Sequence, residues 1–77
     1  MNYIDEVKQI VASCLETDID SLNEETDMSE ISEWDSMRNV MILSQIEDHF
    51  DIIIPEDDIF DLTSVKALSD EVCKLKE

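Results

Sequence analysis

Residues 35–50 read DSMRNVMILSQIEDHF, and this stretch decides the fold. A residue that can cap a helix is followed by apolar residues at helical spacing. The stretch therefore predicts a helix over residues 36–50, with Asp35 or Ser36 as its N-cap. The side of this helix that should face a core carries four apolar residues, Ile42, Leu43, Ile46 and Phe50.

A second apolar group lies nearly opposite the first on the same helix and consists of Met37, Val40 and Met41. Exposed apolar groups on soluble proteins tend to mark contact surfaces. Two interpretations remain open at this point. Either the group is a surface for a partner protein, which we favour, or the preceding loop folds back and covers it.

Two more amphipathic stretches flank this helix. Residues 3–15 carry one continuous apolar stripe and predict a first helix. Thr63 or Ser64 is expected to cap a last helix, whose apolar stripe consists of Val65, Leu68, Val72 and Leu75. Between the helix over residues 36–50 and this last helix, Pro55 suits the first turn of a short helix, with Ile59 and Phe60 expected to face inward.

The connections complete the predicted fold. Residues 16–35 are polar, with isolated apolar residues that should pin this long segment to the core, and they can hold a short helical turn. Residues 52–54 are interpreted as an apolar connector, because no second strand is available to pair with them. The sequence thus predicts one small all-α domain over residues 1–77. We expect a small four-helix bundle with three principal helices, one short helix, and a long loop between helices one and two.

The charge restricts the partners. The chain has 77 residues, 21 of them acidic, and a formal net charge of −16. Such a surface repels nucleic acid and anionic membranes, and it attracts basic proteins. We therefore expect no nucleic-acid binding and no membrane insertion. Cys14 and Cys73 are too few and too far apart in sequence to suggest a disulfide framework, so we expect a reducing, cytoplasmic location, with Cys14 as a buried structural thiol.

Catalysis is not expected. The only histidine, His49, lies on the same helix as Ser36, roughly 20 Å away at about 1.5 Å per residue. The sequence has no glycine-rich phosphate loop, no Cys/His metal cluster and no dinucleotide motif. We predict no catalytic residue and no metal site. A serine at a helix N-terminus, where backbone N–H groups favour an anion, is better interpreted as an attachment point.

The chain resembles the acyl carrier proteins over nearly its full length. The resemblance lies in Trp34-Asp35-Ser36-Met37, in Glu47-Asp48-His49-Phe50, in Ile54-Pro55-Glu56-Asp57, and in Thr63-Ser64-Val65 followed by Leu68. It implies that Ser36, with Asp35 beside it, carries 4′-phosphopantetheine. A phosphopantetheinyl transferase would install this group from coenzyme A, and the carrier would then present acyl or aminoacyl groups as thioesters.

The resemblance also implies a partner surface, because helix two is the family's main recognition element. It maps this role onto Met37, Arg38, Val40, Met41, Glu47 and Asp48. The implied partners are the transferase, an acyl- or aminoacyl-loading ligase, and downstream acyl-transfer enzymes with basic docking surfaces, acting on a monomeric carrier.

Several residues depart from the pattern of fatty-acid carriers. Arg38 and Met41 stand where acids are usual, and Trp34 places a bulky residue before Asp-Ser. With these departures the chain is more similar to free-standing carriers of specialised pathways. Such carriers serve for aminoacyl groups, for the decoration of cell-surface polysaccharides, or for secondary metabolites. Ile59 is bulkier than the small residue that the family often has at this position. It would narrow an internal acyl pocket, which implies a shorter cargo. Trp34 has two interpretations, packing under the loop or bordering the attached group. The alternative function is an unmodified acidic adaptor that binds basic proteins.

Overall fold

The computed structural model describes residues 3–76 and contains four α-helices in this range. They are α1 (Ile4–Leu15), α2 (Ser36–Phe50), α3 (Glu56–Ile59) and α4 (Val65–Lys76), with a 3₁₀ turn at Ile19–Ser21 between α1 and α2. Helix α1 packs against both α2 and α4, and α2 also contacts α4. The predicted all-α bundle of three principal helices and one short helix is confirmed. Residues 1, 2 and 77 of the predicted domain lie outside the described residues.

The core forms where the apolar stripes of the three long helices meet. The spacing of about 3.6 residues per turn gives each helix one apolar side, and burying these sides together removes them from water. The largest side chains that are fully buried come from all three helices and from the loop before α2: Trp34, Ile42, Ile46, Leu68, Val7, Val11, Val65 and Val72. Each such side chain contributes about 1.5–3 kcal/mol relative to an exposed one.

The loop before α2 is bound to the start of α4. Met28 N–H donates to Thr63 O at 2.9 Å, and Val65 N–H donates to Thr26 O at 3.0 Å. Asp27 forms an isolated antiparallel bridge with Ser64. The loop therefore passes over α4 and leaves the outer side of α2 uncovered.

Most helix ends agree with the sequence. Helix α2 begins and ends as expected, and Asp35 is its N-cap. Ser64 Oγ accepts a hydrogen bond from Ala67 N–H at 3.1 Å, as an N-cap of α4 does. Helix α1 begins one residue later than predicted, and Pro55 lies just before α3 rather than within its first turn.

One predicted orientation is wrong. Phe60 was expected to face inward, but its side chain is 87% exposed. Helix α3 is a single turn in which Ile59 packs against the core, and Leu62, 4% exposed, supplies the next buried side chain. Phe60 lies between these two positions and is turned toward solvent.

Candidate functional site

Ser36 is the first residue of α2, and its side chain is exposed. The N-cap role belongs to the preceding residue, since Asp35 Oδ1 accepts a hydrogen bond from Arg38 N–H at 2.9 Å. In the described part of the chain, the Ser36 hydroxyl has no hydrogen-bond partner. The hydroxyl is thus accessible at the positive end of a 15-residue helix, and its loss would not remove the cap.

A groove of about 250 Å³ opens beside Ser36. Its walls come from α2, from the end of α3 and from the two connections that precede α2 and α4: Met28, Asn39, Val40, Ile59, Phe60 and Thr63. Most of these side chains are apolar. An apolar group tethered to Ser36 could therefore lie against the apolar side chains of this groove.

The outer side of α2 carries an apolar patch, which we define as Met37, Val40 and Met41. Their side chains are 76%, 64% and 47% exposed. The interpretation in which the loop covers this group is therefore wrong. The patch begins directly after Ser36, and Val40 also lines the groove.

Two of the predicted partner-binding residues are already engaged within the chain. Arg38 Nη1 donates a hydrogen bond to Cys14 O at the end of α1, and Arg38 Nη2 lies 3.6 Å from Glu16 Oε2. Glu47 Oε2 accepts a hydrogen bond from Ile54 N–H at 2.8 Å. Asp48 is exposed. Arg38 therefore joins α2 to α1, and Glu47 fixes the connection that leads to α3.

Trp34 packs under the loop, which settles its two interpretations in favour of the first. Its side chain is 2% exposed, and its Nε1–H donates to Asn39 Oδ1 at 3.0 Å. Asn39 lies three residues after Ser36 on the same side of α2 and lines the groove. Sequence reasoning missed Asn39, although the i, i+3 spacing from Ser36 could have identified it.

The remaining reactive side chains do not come together with Ser36. His49 lies near the opposite end of α2, where its Nε2 is 3.6 Å from Glu6 Oε2. Cys14 is buried, and burial raises the pKa of its thiol despite the nearby Arg38 charge. Among residues 3–76, no three side chains of the metal-binding types are placed to hold a metal ion. No helix in that range has the length and hydropathy needed to span a membrane.

Comparison with known proteins decides the family. Residues 5–72 match the family described as the phosphopantetheine attachment site. The chain belongs to the acyl carrier protein family. Its structure is similar to the solution structure of a holo acyl carrier protein from Geobacter metallireducens, with a TM-score of 0.82 and 26% sequence identity. The similarity covers 94% of this chain and 83% of the Geobacter chain.

A search of curated protein sequences found no match. Membership of the family makes this chain an acyl carrier with covalently attached 4′-phosphopantetheine. Carriers of this family are generally non-catalytic and act together with transferases and acyl-handling enzymes. The observed site suits the group, because it combines an accessible hydroxyl at a helix N-terminus with an apolar groove.

Proposed function

We propose that Ser36 is the attachment residue for 4′-phosphopantetheine in this acyl carrier. The observation that supports this most directly is that the Ser36 hydroxyl at the start of α2 is exposed and has no hydrogen-bond partner among residues 3–76. A modifying enzyme can reach this hydroxyl without unfolding the helix. In this proposal the chain carries the cargo and its partner enzymes supply the chemistry, and His49 lies near the opposite end of α2 beside Glu6.

The start of α2 favours the phosphodiester. Free backbone N–H groups and the positive end of the helix dipole stabilise an anion there, by about 0.3–1 kcal/mol at an exposed site. The first turn of α2 contains no acidic residue. Asp35 is the adjacent negative charge, and its Oδ1 is directed to the Arg38 N–H rather than left unpaired. The local environment therefore suits a phosphate despite the net charge of −16.

When bound, the group supplies a flexible arm whose thiol holds an acyl or aminoacyl group as a thioester. Ser36 fixes one end of the arm, which raises the concentration of the cargo at any enzyme that docks on the carrier. Val40, Ile59 and Phe60 give an apolar cargo a surface on which to rest. The groove is small, at about 250 Å³, and this favours a short cargo.

We assign the partner surface to the apolar patch together with Asp48. Arg38 and Glu47 were also predicted to bind partners, but their hydrogen bonds to Cys14 O and from Ile54 N–H give them roles within the chain. The partners in this proposal are the phosphopantetheinyl transferase, a loading ligase and downstream acyl-transfer enzymes. Their basic docking surfaces are attracted by the carrier's net charge, and the patch supplies the contact itself.

The pathway in this proposal is specialised rather than general fatty-acid synthesis. The first turn of α2 presents Met37 and Arg38 and no acid, so enzymes that read acidic side chains there find little to bind. We place the carrier in the cytoplasm, where the thiols of Cys14 and Cys73 remain reduced.

Loading of Ser36 can be tested directly. The apo protein is incubated with coenzyme A and a broad-specificity phosphopantetheinyl transferase, and its intact mass is measured. We expect one adduct on the wild type and none on Ser36→Ala, which should remain folded because Asp35 supplies the cap. Ser44→Ala is the matched control, an exposed serine on the same helix that should load normally. An adduct on Ser36→Ala would refute the assignment.

The patch is tested with the same transferase. Met41→Glu places a charge in the patch, and Gln9→Glu places the same charge on an exposed position of a different helix, α1. We expect Met41→Glu to lower kcat/KM for loading about tenfold, equivalent to about 1.4 kcal/mol. Gln9→Glu should change it less than twofold. Equal effects of the two variants would show that charge alone, and not the patch, controls docking.

A further inference from the structure

Helix α4 buries a carboxyl group next to α3. The side chain of Glu71 is 8% exposed, and its Oε2 is buried without a hydrogen-bond partner among the described residues. Removing an ionised carboxylate from water is costly unless it is paired or becomes protonated. Glu71 lies between Leu68 and Val72 on the core side of α4, both of which are buried. Its position therefore needs a physical explanation.

The explanation comes from Asp58 on α3. Lys74 Nζ lies 3.5 Å from Asp58 Oδ2 and 4.0 Å from Glu71 Oε1, so one ammonium group sits against both carboxyl groups. Burial is the main cause that raises the pKa of Glu71, and the neighbouring Asp58 carboxyl group raises it further. The Lys74 charge opposes this effect. Because Lys74 is 65% exposed, water weakens its compensation.

We propose that Asp58 and Glu71 share one proton, and that this pair holds α3 against α4 and positions the wall of the groove beside Ser36. In the protonated state, the Glu71 O–H donates to the Asp58 carboxylate. On ionisation the proton passes to water, and two carboxylates then face each other with Lys74 as the nearby cation. The contact changes from attractive to repulsive at this step.

The wall of the groove depends on this contact because α3 is only one turn long. Ile59 and Phe60 come directly after Asp58, and both line the groove with Ser36 and Val40. We therefore expect a change in the contact between Asp58 and Glu71 to move this wall of the groove. Any effect of this groove wall on a bound cargo rests on the function proposed above. The proton-sharing contact itself does not depend on modification of Ser36.

The direction of the pH dependence follows from the raised pKa. Between the unfolded and folded pKa values of Glu71, the folded protein binds more protons than the unfolded chain. Its stability therefore falls as the pH rises through this window, and α3 loosens over the same range. Glu71→Gln retains a hydrogen-bond donor for Asp58 and cannot ionise, so it should remove this part of the pH dependence.

The test uses the apo protein, with NMR titration of the side-chain carboxyl carbons and of the Ile59 methyl signal. We expect Glu71 to titrate above its ordinary value of 4.5, and the Ile59 methyl signal to shift with the same midpoint. In Glu71→Gln the Ile59 shift at this midpoint should be lost. Asp57→Asn is the matched control, because it removes an exposed charge from the same helix and should retain the shift.

A Glu71 titration at or below 4.5 would overturn the proposal, as would an unchanged Ile59 titration in Glu71→Gln. If Glu71→Gln does not fold, Asp58→Asn gives the same information, because the Glu71 pKa should then fall toward its ordinary value. Loading of Ser36, followed by intact mass, is a separate measurement. A chain that loads normally without the coupled titration refutes only this inference, and the converse result refutes only the attachment site.

Discussion

The inner and outer sides of α2 carry similar apolar side chains, but they differ in what covers them. Ile42 and Ile46 on the inner side are 0% exposed, whereas Met37 and Val40 on the outer side are 76% and 64% exposed. The inner side stabilises the fold through burial. The outer side gains no such stabilisation within the chain, and this agrees with our proposal that it contacts partner proteins. On one helix, the side that stabilises the fold and the side that we propose for recognition are thus about half a turn apart.

The largest expected effect distinguishes the two sides by stability. Ile46→Ala should lower the free energy of unfolding by about 2–5 kcal/mol, because it leaves a cavity in the core. For a small domain, this is comparable to the whole stability. Met37→Ala should change it by no more than about 0.5 kcal/mol. Urea denaturation followed by circular dichroism at fixed salt measures both. A large loss in Met37→Ala would show that the outer side also supports the fold.

The next effect concerns Asn39, a polar residue that is buried on the inner side of α2. Trp34→Phe removes the Nε1–H donor and leaves Asn39 Oδ1 without its partner, which should cost about 1–3 kcal/mol. Circular dichroism is the readout, since the variant has no tryptophan. In combination with Asn39→Ala the losses should be less than additive, because both variants remove the same hydrogen bond. Fully additive losses would mean that this bond does not hold the loop to α2.

Much of the fold could be predicted because its signals are local. The bounds of α2 and its Asp35 cap follow from adjacent residues and from helical spacing, and so does the separation of inner and outer sides. Phe60 was placed wrongly because a one-turn helix has too little periodicity to indicate its buried side. The accessible Ser36 hydroxyl agrees with the sequence, and its role as attachment residue remains a prediction.

The hydrogen bonds that Arg38 and Glu47 form within the chain could not be predicted from the sequence. Arg38 meets Cys14 across 24 positions of sequence, and Glu47 bonds Ile54 across the turn that ends α2. Both side chains look like solvent-exposed charges in the sequence. Only the packing of α1 on α2 and the course of the connection to α3 bring their partners within reach.

Arg38 is the clearest exception to the division of α2 into an inner and an outer side. It follows Met37 on α2, yet its guanidinium turns back to the end of α1. Arg38→Met keeps an apolar stem and loses the charged donor to Cys14 O, so the free energy of unfolding should fall by about 1–2 kcal/mol. Lys66→Met is the control for loss of an exposed cation in this acidic chain, and it should have a smaller effect in the same urea experiment. Equal effects would mean that net charge accounts for both.

The smallest expected effect shows which group at the end of α1 anchors Arg38. Glu16 has a left-handed backbone, with φ 55° and ψ 45°, and its carboxylate is 80% exposed. Glu16→Gly relieves the left-handed strain but adds freedom to the unfolded chain, so we expect a net stabilisation of about 0.5–1 kcal/mol. Glu16→Gln removes the charge and keeps the side chain, and its effect should be close to zero because an exposed ion pair contributes little. If both variants instead lose stability in urea, the anchor of Arg38 is the Glu16 carboxylate rather than the Cys14 carbonyl, and the attachment of α2 to α1 depends on salt.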